Sequence, residues 1–320
     1  MKMKMSDFGT EKPKTDEVNT KEEFGPPIPV EGKEHKNKDF DYSQWVTQSD
    51  RVFRAAMKTR NTLPNGLFEI ELDNYGEPIY TKKDLITDEL LLLDNTALEV
   101  AKEIIAFWDN LISFKKYGFS HRRGYLFYGE AGTGKTCIVK QVIKQIIDLD
   151  GVIINCSNNP DIITKGITRF RIIEPYRKLL CIFEDIDAII HRWGEERILS
   201  LLDGENITDN VLNIATTNYP EKLDKRIVSR PRRFDRIIKI GVPNRSVREK
   251  YFKNKLKLDN KDITEYVDVS DGFSFASLSD LVISTKCFNL PLDEAVNRLK
   301  DLEKEKSSNE YYHSQVGFKV

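Results

Sequence analysis

Gly129-Glu-Ala-Gly-Thr-Gly-Lys-Thr136 decides the fold of this chain. It fits the phosphate-loop pattern G-x-x-x-x-G-K-[ST] at every defined position. An apolar run, Gly124-Tyr-Leu-Phe-Tyr128, leads into it, and a helical pattern from Lys135 to Leu149 leads out. The glycines let backbone N–H groups turn inward onto phosphate oxygens. A helix starting at Lys135 adds the positive end of its dipole. Lys135 is spaced to reach the β- and γ-phosphates, and the Thr136 hydroxyl to ligate Mg²⁺. The expected cofactors are ATP and Mg²⁺. The expected nucleotide contacts are Gly129, Glu130, Ala131, Gly132, Thr133, Gly134, Lys135, Thr136 and Cys137.

Working outward, further buried-strand patterns lie at Val152–Cys156, Leu179–Phe183, Val211–Ala215 and Ile237–Ile240. Strands alternating with helical stretches predict an α/β fold, a parallel phosphate-loop sheet flanked by helices. After Pro243 the strand patterns stop. Ser246–Leu256, Ser277–Cys287 and Leu292–Lys304 read as helices of a small all-helical lid. Upstream, Thr96 to about Phe114 reads as a helix. Leu67–Leu72 alternates like a strand, Asp73–Gly76 is a turn, and Ile79–Thr81 returns as the second arm of a hairpin. Gln48–Arg60 reads as a helix, with Val52, Phe53, Ala56 and Met57 on one side. The predicted organisation is a disordered tail over 1–40 and a short α+β appendage over 41–95. The nucleotide-binding α/β domain follows over 96–243, the lid over 244–305 and a C-terminal tail over 306–320.

The 320 residues carry 50 basic and 51 acidic side chains, a net charge of −1. That balance argues against a dedicated nucleic-acid binder, which clusters basic charge. The four cysteines, Cys137, Cys156, Cys181 and Cys287, form no Cys-x-x-Cys pair, so they read as buried free thiols rather than a zinc site. No apolar run approaches the ~20 residues that span a bilayer. The N-terminal Met1-Lys-Met-Lys-Met5 has no apolar core behind it, so no secretory signal is expected. The expected location is cytoplasmic.

Leu179-Leu-Cys-Ile-Phe-Glu-Asp-Ile-Asp187 is an apolar strand ending in carboxylates. A strand beside a phosphate loop needs an acid to hold the metal and another to activate water, and Glu184 and Asp185 can share those tasks. From Tyr117 to Pro243 the chain resembles an AAA ATPase module of the AAA+ type. The family's acidic pair is Asp-Glu; here it is inverted, as in the Bcs-type AAA chaperones. The approach His121-Arg-Arg-Gly-Tyr-Leu-Phe-Tyr-Gly129 is similar to theirs as well. The resemblance implies that Glu184 holds the metal with Thr136 and that Asp185 activates water. It also implies that Asn218, ending Val211-Leu-Asn-Ile-Ala-Thr-Thr-Asn218, orients that water. In Leu223-Asp-Lys-Arg-Ile-Val-Ser-Arg-Pro-Arg-Arg-Phe-Asp-Arg236, Arg230 and Arg233 fall on the family's two finger arginines, with Arg232 in place of a glycine. Such fingers reach the γ-phosphate of a neighbouring subunit. Asp271-Gly-Phe-Ser-Phe-Ala-Ser-Leu278 is similar to the lid turn facing the nucleotide, with Phe275 replacing a glycine.

The resemblance implies a homo-oligomeric ring, a hexamer, that hydrolyses ATP to remodel a protein or nucleic-acid client. Pro160-Asp-Ile-Ile-Thr-Lys-Gly166 stands where threading members carry an aromatic loop, and it has no aromatic, so peptide threading is not expected. Neither a counterpart of the Bcs-type membrane anchor nor any other membrane span is expected. The alternatives are a nucleic-acid-directed loader or motor and a slow, nucleotide-gated assembly switch.

Overall fold

The computed structural model describes residues 44–49, 51–56, 59–85, 95–203, 210–228, 233–256 and 260–315. The expected tail over 1–40 and the candidate Arg230 lie outside these residues. The chain divides into two units, Met1–Thr59 and Arg60–Val320.

In the first unit, β1 (Gln44–Ser49) and β2 (Val52–Ala56) pair antiparallel, Gln44 opposite Ala56, with a register shift between Thr47 and Ser49. The helix expected over Gln48–Arg60 is therefore corrected to a hairpin. Val52 and Phe53 favour a strand intrinsically, and a five-residue stretch is too short for helical spacing to outvote that preference.

The second unit is built on a seven-stranded sheet. Its strands are β3 (Gly66–Leu72), β4 (Pro78–Lys83), β5 (Arg122–Tyr128), β6 (Val152–Asn155), β7 (Leu179–Phe183), β8 (Val211–Thr217) and β9 (Arg236–Lys239). The order is β4-β3-β6-β7-β8-β5-β9. Only the β3–β4 hairpin is antiparallel; β3 itself joins the parallel core, Leu67 opposite Ile153. The strands of the expected appendage are thus a lateral extension of the main sheet. Tyr80 pins them by donating to the Gly166 carbonyl at 2.6 Å. Burial pushes the Tyr80 phenol up to about 12, so it stays a neutral donor at physiological pH.

Helices α1 (Asn95–Asp109), α2 (Leu111–Lys116), α3 (Lys135–Asp148), α4 (Pro160–Ile173), α5 (Ile186–Trp193), α6 (Glu195–Asp203) and α7 (Lys225–Val228) surround the sheet. Ile153 packs on one face with α1 and α3, while its neighbours Val152 and Ile154 pack on the other with α4 to α6. Both faces being covered explains why β6 to β8 read as continuous apolar runs rather than alternating ones. His121 is fully buried, stacked on Phe107 at 3.9 Å, and its Nε2 meets the Phe107 carbonyl at 2.8 Å. That contact ties α1 to the start of β5.

The lid comprises α8 (Arg245–Leu256), α9 (Asn260–Val269), α10 (Phe275–Lys286) and α11 (Leu292–Gln315), around a core that includes Phe252, Phe273 and Leu281. Helix α11 runs past the expected stop at Lys304, because no glycine or proline interrupts residues 305–315. Cys156 and Cys181 are buried free thiols as expected, whereas Cys287 is exposed.

Candidate nucleotide site

The loop after β5 is shaped by backbone angles that only glycine adopts without strain. Gly132 and Gly134 have φ of +79° and +101°. A Cβ on Gly132 would also lie 2.8 Å from the Ala276 side chain of the lid. Lys135 opens α3 and is 7% exposed, and its Nζ donates to the carbonyls of Gly129 and Glu130, each at 2.7 Å. Burial pulls its pKa below the ordinary lysine value, while the charges of Asp185, Asp187 and Glu130 oppose that shift. A lysine tied to two neutral carbonyls can exchange them for anionic oxygens, which are stronger partners. Thr133 donates its hydroxyl to the Glu130 carbonyl at 2.9 Å and braces the loop.

The tips of β7 and β8 face this loop. The Thr136 hydroxyl hydrogen-bonds the Glu184 carboxylate. Partial desolvation and the adjacent Asp185 charge push the Glu184 pKa up, against the pull of Lys140 and Thr136. An oxygen-only pair with a carboxylate whose charge is under-compensated fits a hard divalent cation such as Mg²⁺. Asp185 sits in the left-handed region, φ 49° and ψ 57°, at the start of α5. Its N–H donates to Thr216 Oγ1 at 3.0 Å, and Asn218 Nδ2 approaches its carboxylate at 3.4 Å. Asp187 is occupied by the Thr217 hydroxyl at 2.6 Å.

The structure brings Gly134, Lys135, Thr136, Cys137, Asp185 and Asn218 together around a cavity of about 380 Å³. The lid closes it with Phe275 and Ala276, and the Ala276 N–H reaches the Gly132 carbonyl at 3.4 Å. Sequence reasoning missed Thr216, the buried hydroxyl that fixes the Asp185 backbone; the run of hydroxyls ending β8 was the available signal. Arg233 is not in this group. It is 3% exposed and grips Asp203 with two hydrogen bonds of 2.6 Å, and its third contact is the Arg226 carbonyl. That pair ties the guanidinium to the end of α6 within the same chain. Asp203 was also missed, since nothing at the end of α6 marks it as the partner of an arginine 30 residues on.

The raised Glu184 pKa has a consequence for stability. The folded state binds more protons than the unfolded one above the ordinary glutamate value of 4.5, so stability falls as pH rises from there through the raised value. Glu184→Gln should therefore raise the melting temperature of the ligand-free protein at pH 7.5. The gain should vanish below pH 4.5. A melting series at several pH values checks this, and an unchanged melting temperature at pH 7.5 counts against a charge-strained carboxylate.

This fold and cavity define a nucleotide-binding module of the phosphate-loop class. Residues 125–242 match the family described as ATPase family associated with various cellular activities (AAA). Among its relatives is a cell division cycle protein 48 homolog from Archaeoglobus fulgidus, 31% identical over 190 residues, covering 52% of this chain and 25% of that protein. A probable mitochondrial chaperone bcs1 from Schizosaccharomyces pombe is 26% identical over 285 residues, covering 82% and 59%. An ATP-dependent zinc metalloprotease FtsH from Aquifex aeolicus is 30% identical over 209 residues, covering 58% and 32%. The chain thus spans 25% to 59% of the lengths of these three relatives. Among the described residues, no helix is long and apolar enough to cross a membrane.

Proposed function

We propose that this chain binds Mg²⁺-ATP and hydrolyses it in a homo-oligomeric ring, a hexamer in the cytoplasm, to remodel a macromolecular client. The observation that carries this reading is the convergence of the phosphate loop with Asp185, just past β7, and Asn218 around one cavity. Lys135 would leave the Gly129 and Glu130 carbonyls for the β- and γ-phosphates. Thr136 and Glu184 would hold Mg²⁺, which when bound neutralises charge on the phosphates. Asp185 would accept the proton of the attacking water, and Asn218 would orient that water. Arg230 and Arg233 would complete the site of a neighbouring subunit, and for Arg233 that role requires its Asp203 pair to open or to act by positioning the segment.

The test separates binding from turnover. Asp185→Asn should bind ATP within a few-fold of wild type and lose at least about 100-fold in phosphate release, the low end of what a positioned general base contributes. Glu184→Gln should instead raise the Mg²⁺ concentration needed for half-maximal turnover. Opposite phenotypes for the two variants would reverse the roles.

The slow assembly switch remains the second reading, favoured by one observation. Asp185 is one methylene shorter than the family's glutamate, and a displacement of ~1.5 Å at a catalytic acid can cost about 100-fold. Wild-type turnover far below ~0.1 s⁻¹, against ~1–10³ s⁻¹ for ordinary enzymes, with tight ATP-dependent assembly would select it.

A further inference from the structure

Asp185 opens α5 differently from the residues that open two other helices. Asn159 and Ser274, before α4 and α10, have ψ of 123° and 165°, and their side chains accept the N–H of Asp161 and Ser277. Aspartate is as well suited to that task as asparagine or serine. Yet Asp185 makes no side-chain cap, and its backbone lies in the left-handed region, φ 49° and ψ 57°. That conformation is uphill for a residue with a Cβ. Its carboxylate lines the cavity instead, where Asn218 approaches it at 3.4 Å and its charge acts on Lys135.

The hydrogen bonds show what holds the uphill turn. Strands β7 and β8 pair in parallel as far as Phe183 opposite Ala215. Past that pair, the Asp185 N–H donates to the Thr216 hydroxyl at 3.0 Å. The Asp185 carbonyl accepts the N–H groups of Ala188 and Ile189 at 2.9 and 3.2 Å. An ordinary helix cap offers its carbonyl in the same way, so those bonds do not choose between the two conformations. The bond to Thr216 does. Thr217 cannot stand in, because its hydroxyl donates to Asp187 at 2.6 Å and accepts the Tyr219 N–H at 3.0 Å. Thr216 is 2% exposed, and a hydrogen bond in such surroundings is stronger than one in water.

We propose that Thr216 is the positioning residue of Asp185: its hydroxyl holds the left-handed turn that keeps the carboxylate at the cavity and off the first turn of α5. This rests on the reading of Asp185 as the base that takes the proton of water. A short side chain has few torsions, so the backbone direction decides where the carboxylate lies. Without the Thr216 hydroxyl, Asp185 relaxes into an ordinary helix cap and withdraws its oxygens from the cavity.

Thr216→Val, which keeps the shape and removes the hydroxyl, tests this on the full chain beside Thr216→Ser, Asp185→Asn and the Thr216→Val/Asp185→Asn double variant. A crystal structure of ligand-free Thr216→Val should show Asp185 at negative φ, its carboxylate accepting the N–H of Asp187 or Ala188. An unchanged left-handed Asp185 there overturns the proposal. By calorimetry Thr216→Val should bind ATP within a few-fold of wild type, while its kcat falls roughly 100-fold, the cost of a misplaced catalytic group. Thr216→Ser should return kcat to within a few-fold of wild type, since it keeps the accepting hydroxyl. The double variant should be no slower than Asp185→Asn, because Thr216 acts through that carboxylate. Undiminished kcat in the valine variant overturns the proposal. So does a loss that serine fails to restore, which makes the methyl group the working part. ATP affinity falling in step with kcat makes Thr216 a structural member of the site and overturns it too. A further loss in the double variant overturns the route through Asp185. No turnover in wild type, or full turnover in Asp185→Asn, overturns the hydrolytic reading itself, and those two proteins reveal that without any Thr216 variant.

Discussion

Lys135→Met should reduce ATP affinity at least roughly a hundredfold, the loss expected when two charge-assisted hydrogen bonds to phosphate disappear. The ligand-free protein should fold normally. Lys135 is a buried cation whose pKa is lowered by burial, so ionising it in the fold already costs stability at neutral pH. The sign follows from proton counting. Between the lowered value and 10.5 the unfolded state holds the proton more tightly, so wild-type stability rises with pH through that window. Methionine fills similar volume without the charge and should lose that rise. Calorimetry with ATP, paired with melting curves at several pH values, separates lost chemistry from lost structure. Undiminished ATP affinity would show that the nucleotide binds elsewhere.

The second large effect concerns assembly. If Arg230 and Arg233 act across a subunit boundary, specific activity should rise with protein concentration until rings form. Replacing either arginine with alanine should then retain ATP binding and lose ~10³–10⁵ in turnover, the worth of such a finger. Arg233→Ala carries a second expectation, because the guanidinium is 3% exposed and bonded twice to Asp203. It should also lower the melting temperature, so Arg230→Ala supplies the control for lost folding. Mixing is the sharper measurement. A finger variant retains its own phosphate loop, and a Lys135→Met subunit retains its own arginines. Two inactive parents should then yield measurable phosphate release in mixed rings. Full activity in a verified monomer, or in either arginine variant alone, would remove the ring mechanism.

The phosphate loop was legible because its chemistry leaves few choices: inward-turning N–H groups need glycines, and the phosphates need a lysine at a fixed spacing. The acidic tip of β7 was legible for a similar reason, an apolar strand ending abruptly in charge. Arg233 shows the limit. The family resemblance implies a role toward another subunit, and nothing local announces the hydrogen bonds that run to Asp203 and to the Arg226 carbonyl. Local pattern carries no record of which distant carboxylate will be opposite. The same limit hid the destination of the β3–β4 hairpin. Its alternation gave both arms and the turn, but pairing of β3 with β6 is set by tertiary packing. The stretch around Val52 failed differently, since apolar residues in so short a segment satisfy helical and extended spacing alike.

The lateral hairpin has a consequence during synthesis. Tyr80 leaves the ribosome long before its hydrogen-bond acceptor Gly166, 86 residues later in the chain. At ~5–20 residues per second that is a wait of about 4–17 s. Over that interval Phe68 and Ile70, almost fully enclosed in the finished protein, have no β6 or α4 to cover them. A two-stranded ribbon alone is only marginally stable in water. The nascent chain therefore passes through a stage in which an apolar hairpin, not the nucleotide pocket, is the surface a holdase would grip.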